Sequence, residues 1–234
     1  MNRARWSVLA VVLIVGAVIG GYIAWDQILR GDNVAPLALS SGAPASGSTV
    51  SSTAQAAGTW SVNSSSVVGY RVREQLASLS AQSDAVGRTS SLTGSATLKV
   101  SGSDLSVTAA QFQADLTKLT SDKNMRDQKL HSLGLESDTY PTAIFKLTSP
   151  ASVPATGISG ATLMVTLTGD FTLHGVTKSV SIPARARIAG SQFEIVGSLT
   201  FPMADYSITP PSIGGFVTVT DQATLEFDVF LDHA

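Results

Sequence analysis

From Thr59 onward, apolar and polar residues alternate with a period of two. Successive side chains of a strand point to opposite faces, so this pattern predicts half-buried β-strands. Between Leu163 and Leu173, the residues Leu163, Val165, Leu167, Gly169, Phe171 and Leu173 share one face, and Thr166, Thr168, Asp170 and Thr172 share the other. A two-residue turn at His174-Gly175 then reverses the chain, with glycine supplying a positive-φ position. The return strand points Val176, Val180, Ile182, Ala184, Ala186 and Ile188 inward. A second turn, at Ala189-Gly190, leads to Phe193, Ile195, Gly197, Leu199 and Phe201 on one face. The final strand sets Ala223, Leu225, Phe227, Val229 and Leu231 against Thr224, Glu226 and Asp228.

Further strands are expected at 66–73, 92–100, 105–117 and 142–148. About eight strands result, each with one apolar face, and eight is the number at which a closed barrel is filled by side chains or holds one small ligand. The fold class expected is all-β, an eight-stranded antiparallel barrel. A two-sheet sandwich shows the same alternation, but strands as long as 163–173 favour the barrel. One short helix interrupts the pattern over 123–133, with Ser121 as N-cap, Asp122 in the first turn, a weak apolar stripe of Met125, Leu130 and Leu133, and Gly134 at its end.

The N-terminal pattern is different. Residues 7–25 carry no charge and are almost wholly apolar, long enough to cross a bilayer as a helix. Arg3 and Arg5 precede the run and Asp26 follows it, so the positive-inside rule places residues 1–6 in the cytoplasm and the rest of the chain outside. Trp6, Tyr22 and Trp25 stand near the two ends, where interfacial aromatics are common. The expectation is a single-pass cell-membrane protein with an extracytoplasmic barrel. The rival is a cleaved signal peptide, whose apolar region is shorter and ends in small residues rather than in Ile23-Ala24-Trp25-Asp26. Residues 26–58, dominated by Ser, Ala, Gly, Thr and Pro from Gly31 on, are expected to be a flexible tether to the barrel domain at 59–234.

Composition narrows the chemistry. The 234 residues are 44% hydrophobic and 14% charged, with a net charge of -2, so no general basic field attracts nucleic acid. With no cysteine, thiolate metal sites and a cysteine nucleophile are excluded. The three histidines are isolated and make no zinc pattern. His174 is expected to serve its turn, His131 to be a solvated helix residue, and His233 to be uninvolved. No G-x-S-x-G elbow occurs, and no nucleophile–base pair is visible. An enzyme is therefore not expected, nor a cofactor. Arg71 and Arg73 with Glu74 read as a solvated face.

An ordered set of short segments then carries a resemblance. It runs through Trp60-Ser61-Val62-Asn63, Val68-Gly69-Tyr70-Arg71-Val72, Gly87-Arg88-Thr89 and Leu92-Thr93-Gly94, then Met125-Arg126-Asp127 with Leu130, Tyr140-Pro141 and Ile144-Phe145. The most distinctive part is Gly169-Asp170-Phe171-Thr172-Leu173-His174-Gly175-Val176-Thr177-Lys178. Residues 59–234 resemble the YceI family of lipocalin-like proteins. Two stretches depart from the commoner pattern: Ser65-Ser66 replaces a His-Ser pair, and 74–86 is rich in Ser and Ala. The resemblance implies an extended lipocalin-like barrel with a long apolar cavity for a polyisoprenoid chain or similar amphiphile, such as an isoprenoid or isoprenoid quinone.

The inward positions bear on that implication. Gly94, Ala96, Ala143, Gly169, Ala184, Ala186, Gly197 and Ala223 are small, and Phe112, Phe145, Phe171, Phe193 and Phe201 are large. The mixture suggests a narrow apolar tube, although small residues also serve barrel corners and taper. The lining residues expected are Tyr70, Phe112, Phe145, Leu167, Phe171 and Ile195. Arg126 is the head-group candidate, or else half of a helix-to-barrel ion pair. The leading reading is an extracytoplasmic lipid-binding protein. The alternative is a non-enzymatic envelope protein with a filled barrel, binding an unknown protein partner through the loop 205–216, with its Pro210-Pro211 and Gly214-Gly215.

Overall fold

The alternation is realised as strands that all pair antiparallel. The computed structural model describes residues 34–40, 50–76, 82–213 and 217–233. In chain order these form a short helix α1 (Thr53–Ala56), β1 (Gly58–Val62), β2 (Val67–Leu76), β3 (Gln82–Thr89), β4 (Leu92–Ser101) and β5 (Asp104–Asp115). A second helix, α2 (Asn124–Lys129), runs on into a π-turn at Leu130–Gly134. Then follow β6 (Thr142–Leu147), β7 (Ala151–Val153), β8 (Leu163–Leu173), β9 (Val176–Ala189), β10 (Gln192–Pro202), β11 (Ser212–Ile213) and β12 (Val217–His233). The N-terminal apolar run and most of the expected tether lie outside the described residues. No helix among the described residues is long and apolar enough to cross a membrane.

Eight strands close a ring in the order β1-β4-β5-β6-β8-β9-β10-β12, with β12 returning to β1. The expected number is met, but the membership differs. The segment read as 66–73 is β2, which lies beside β12 and pairs onward with β3. The eighth ring member is instead β1, five residues around Trp60, too short to show a period. β12 serves both partners along one edge: Val217–Asp228 pairs with β2 and Leu231–His233 with β1. The outer edge of β3 is tied by paired backbone hydrogen bonds between Arg88 and Thr120.

Several local expectations are corrected. The Ser- and Ala-rich stretch 74–86 holds the end of β2 and most of β3, which forms because β2 offers it a partner edge. The second hairpin turns at Gly190-Ser191, one residue later than expected, with Ala189 still paired to Gln192. Ser121 does not cap α2; Lys123 holds that position, and the Ser121 hydroxyl donates to Asp127 Oδ1 at 2.6 Å. The His174-Gly175 turn stands as read, with φ of 51° and 74°.

One end of the barrel is solid. Trp60 is fully buried, donates from Nε1 to the Ala56 carbonyl at 2.9 Å, and meets Phe193 and His233 edge-on. Ala56 of α1, Leu98, Leu105, Ile188 and Leu231 pack with it. Each of the leucine and isoleucine side chains contributes about 1.5–3 kcal/mol on leaving water. His233 is therefore not idle: its Nε2 lies 3.2 Å from the Ala57 carbonyl, at the β1–β12 seam. Ser66, the serine of the Ser65-Ser66 pair that keeps the family pattern, also works here, because its Oγ donates to the Phe230 carbonyl and accepts from its N–H.

The outer face carries a second surprise. Residues 34–40, expected to belong to a flexible tether, lie against the barrel wall. Arg71 bonds Glu226 at 2.6 Å, Asp84 at 3.2 Å and the Val34 carbonyl at 2.9 Å, so it is not on a solvated face. Arg88 donates to the Ala35 carbonyl, and Arg187 bridges Glu194 to Ser40. Glu194 and Glu226 point outward by alternation yet are buried. Asp228, in the same row, has a buried oxygen without a partner. Its carboxyl is pushed up to about 7 by burial, with Glu194 adding to the rise and Arg187 opposing it.

Two outcomes test this architecture. A Cβ at Gly169 would lie 2.4 Å from the Lys146 carbonyl oxygen and 2.7 Å from the Phe145 ring. Gly169→Ala should therefore lower stability by about 1–3 kcal/mol, read as a lower urea midpoint. Asp228 has a folded-state pKa above its ordinary 3.8, so the folded chain binds the extra proton. Its contribution is fully present below about pH 4 and is lost as pH rises through about 7. Asp228→Asn should flatten the fall in melting temperature across that window; an unchanged slope would assign it to other groups.

Candidate ligand cavity

The end opposite Trp60 is built from short elements rather than strands. A 3-10 turn at Leu116–Lys118, the α2–π-turn segment and a second 3-10 turn at Met203–Tyr206 gather a separate apolar cluster. Within it Phe171, Phe201 and Tyr206 pack edge to face, with centroids 4.9–6.3 Å apart. These rings have preferred contacts with one another and leave space on their inner side.

That space is a tapering series of chambers inside the barrel. The outer chamber, about 110 Å³, lies between Leu130, Gly134 and Leu135 of the helical cap and Ile208, Pro211 and Val219 near the loop before β12. The middle chamber, about 70 Å³, shares Val68, Ala114, Ala143, Phe171 and Leu225 with the outer one. The innermost, about 10 Å³, shares Phe112, Phe145, Leu167 and Ile195 with the middle one and ends against Phe193. The lining is almost entirely apolar throughout.

All six lining positions named from the sequence border these chambers: Tyr70 the outer, Phe171 the outer and middle, and Phe112, Phe145, Leu167 and Ile195 the middle and inner. The small residues divide into two groups. Ala96, Ala143 and Ala223 line the cavity, while Ala184 and Ala186 are buried in the core without bordering it. Gly94, Gly169 and Gly197 do not open space; they seat the rings of Phe112, Phe145 and Phe227, which would overlap any Cβ there. Gly87 does the same for Tyr70, with a would-be Cβ 2.3 Å from Cε1. Leu135, Ile208 and Pro211 were not anticipated, because alternation within strands says nothing about which loop residues fold over a mouth; Val219, in the first part of β12, precedes the stretch 223–231 whose alternation was read.

Arg126 borders none of the chambers. Its guanidinium is buried between Glu74, at 3.2 Å and 3.1 Å, and Asp122. Of the two readings of this residue, the geometry has the helix-to-barrel ion pair, joining α2 to the end of β2. Glu74 is the inward residue of β2 after Val72, and Arg126 supplies the opposite charge that its burial requires. The Tyr70 hydroxyl is also buried and has no hydrogen-bond partner. Burial drives its pKa well above the ordinary phenol value.

The histidines are structural fastenings. His174 Nδ1 lies 3.1 Å from the Tyr206 carbonyl and Nε2 3.1 Å from Glu136, with the Tyr140 ring tilted against the imidazole, centroids 4.2 Å apart. His131, expected in solvent, has both nitrogens engaged, by the Ser137 hydroxyl at 2.6 Å and the Leu119 carbonyl at 3.2 Å. Among the described residues no three His, Asp or Glu side chains gather as metal ligands.

Comparison with known proteins agrees with this architecture. A polyisoprenoid-binding domain from Saccharophagus degradans, implicated in plant cell wall breakdown, superposes with a TM-score of 0.56 at 16% identity, covering 76% of this chain and 99% of that one. BcnA of Burkholderia cenocepacia gives 0.52, also at 16% identity, covering 72% and 98%. These likenesses establish the fold. No curated protein sequence matches. The family model of the YceI-like domain matches residues 60–231, and the chain belongs to that family.

Proposed function

We propose that this protein is a non-enzymatic, extracytoplasmic lipid-binding protein that holds an isoprenoid-like chain inside its barrel. The observation that carries the reading is the apolar tube, open toward the helical cap and stopped by the packed Trp60 end. A branched hydrocarbon chain suits it. Each buried CH₂ contributes about 0.8 kcal/mol, so a few isoprene units outweigh the cost of ordering them without any dedicated polar constellation. The polyisoprenoid binding named for the Saccharophagus domain supports the same class of ligand. Met125 and Leu133, half exposed on the cap above the outer chamber, give the mouth an apolar rim for exchange with a bilayer. The alternative of docking through the 205–216 loop is less favoured, because Ile208 and Pro211 of that loop are engaged as chamber wall.

The location follows from the sequence. The uncharged run 7–25 holds the chain in the cell membrane with its N-terminus inside, and the barrel stands outside.

Organic-solvent extraction of the purified chain should release an isoprenoid detectable by mass spectrometry, and an empty extract would count heavily against the reading. Ala143 lines the junction of the outer and middle chambers. Ala143→Phe should keep the barrel's circular dichroism while lowering lipid affinity about tenfold, the equivalent of a 1.4 kcal/mol clash. A chain beginning at Val34 should retain lipid and lose membrane location. One beginning at Thr59 lacks Val50 and Ala56 of the core and should melt at a lower temperature.

A further inference from the structure

Residues 34–40 cross the outer wall without joining any strand. At one end of this strap Arg71 and Arg88 donate to the Val34 and Ala35 carbonyls. At the other end Arg187 donates to the Ser40 carbonyl and hydroxyl, and Glu194 accepts from the Ser40 N–H. Among the described residues, every hydrogen bond that fastens the strap falls on its main chain or on the Ser40 hydroxyl. The wall therefore recognises a length of uncharged chain, and nothing in these contacts requires that chain to come from the same molecule. The connection that follows is also longer than the seat requires. The next fastening is Val50, whose N–H donates to the Gly190 carbonyl. Ser40 sits at the Arg187–Glu194 pair and Gly190 in the turn of the same hairpin, so the two fastenings stand about 10 Å apart at ~3.4 Å per residue. The ten chain steps from Ser40 to Val50 can reach about 33 Å. That surplus exceeds the ~10 Å between packed sheets. The strap also leaves the wall incompletely covered. Pro36 and Leu37 share a recess of about 200 Å³ with Pro183, Val196 and Gly197. Met164, which lines the same recess, is 73% exposed, more than any other large hydrophobic side chain among the described residues.

We infer that two copies of this chain meet at this wall and exchange residues 34–40, each strap seated on the Arg71, Arg88, Arg187 and Glu194 side chains of the other copy. Exchange keeps every fastening hydrogen bond, because the same groups meet in the same order. The contact is isologous and closes at two copies. It also sets a second barrel over Met164. The inference concerns the outer wall alone and does not depend on the lipid cavity.

The natural chain has no cysteine, so introduced thiols report on single positions. Full-length chains carrying Leu37→Cys on the strap are co-expressed with chains carrying Met164→Cys on the wall, and a third chain, expressed alone, carries both. A short bismaleimide should join strap to wall between the two singly substituted chains, giving a covalent dimer on a denaturing gel. Ser40→Pro on the Leu37→Cys chain removes the N–H and the hydroxyl held by Glu194 and Arg187 without altering the barrel. It should lower the dimer yield severalfold while the circular dichroism of the barrel is unchanged. A bridge inside the doubly substituted chain, with no dimer from the singly substituted pair, would show each strap on its own barrel and overturn the exchange. A dimer whose yield Ser40→Pro leaves unchanged would also overturn it, because the walls would then touch without trading straps. No bridge in any of these chains would overturn the seating of the strap and the exchange with it.

Discussion

β12 shares one edge between two partners, and the two ends of the barrel differ because of it. Its last residues pair with β1, which brings Trp60 into the ring and closes the wall tightly enough for a solid core. Its longer first part pairs with β2, and β2 with β3. There the wall is completed through the Arg88–Thr120 bridge rather than a full ladder. A closed barrel has no edge to protect, and here closure is achieved twice by different strands. The first closure fills the interior, while the second leaves it wide and in need of a lid.

The lid is pinned by charge. Glu74 faces the barrel interior where an apolar residue would continue the pattern of Val68 and Val72, and a buried carboxylate alone would be prohibitive. Arg126 neutralises it with two hydrogen bonds and so fixes α2 and the π-turn over the outer chamber. Removing Arg126 would leave the Glu74 carboxylate uncompensated and buried, a penalty of several kcal/mol, whereas removing Glu74 leaves Arg126 paired with Asp122. The same arrangement separates structure from recognition. The cation that a sequence reader assigns to an anionic head is already occupied by Glu74 and Asp122.

Long strands were legible because one buried face imposes a strict period of two, so 163–173 could be bounded to the residue. The cavity-lining positions within strands followed from the same parity. β1 and β3 were not legible. Gly58–Val62 is too short for a period, and Gln82–Thr89 has few β-branched residues and is a strand because of its neighbour. The role of the glycines inverted for a similar reason. Gly94, Gly169 and Gly197 look like vacant space in a sequence, but a cross-strand phenylalanine fills each one. Arg71 and Glu226 have the parity of solvent-facing residues, and only the chain segment laid across them buries them.

That segment also changes the meaning of the tether. A polar, Ser- and Ala-rich linker suggests a leash spanning all of 26–58, but residues 34–40 are fastened to the outer wall by Arg71, Arg88 and Arg187. On the anchored reading, only the stretch from Trp25 to Val34 separates the bilayer surface from the first fastening point. Fully extended, those nine steps reach about 30 Å, less than the full linker would allow. A barrel held at that distance, by its flank rather than by either end, can lean its capped mouth toward the lipid without leaving it. The fastening residues include the Glu194–Arg187 pair beside Asp228, whose carboxyl is raised to about 7 by burial next to Glu194. The loss of its proton puts a further negative charge beside Glu194, so the stability of that row falls as pH rises through neutrality.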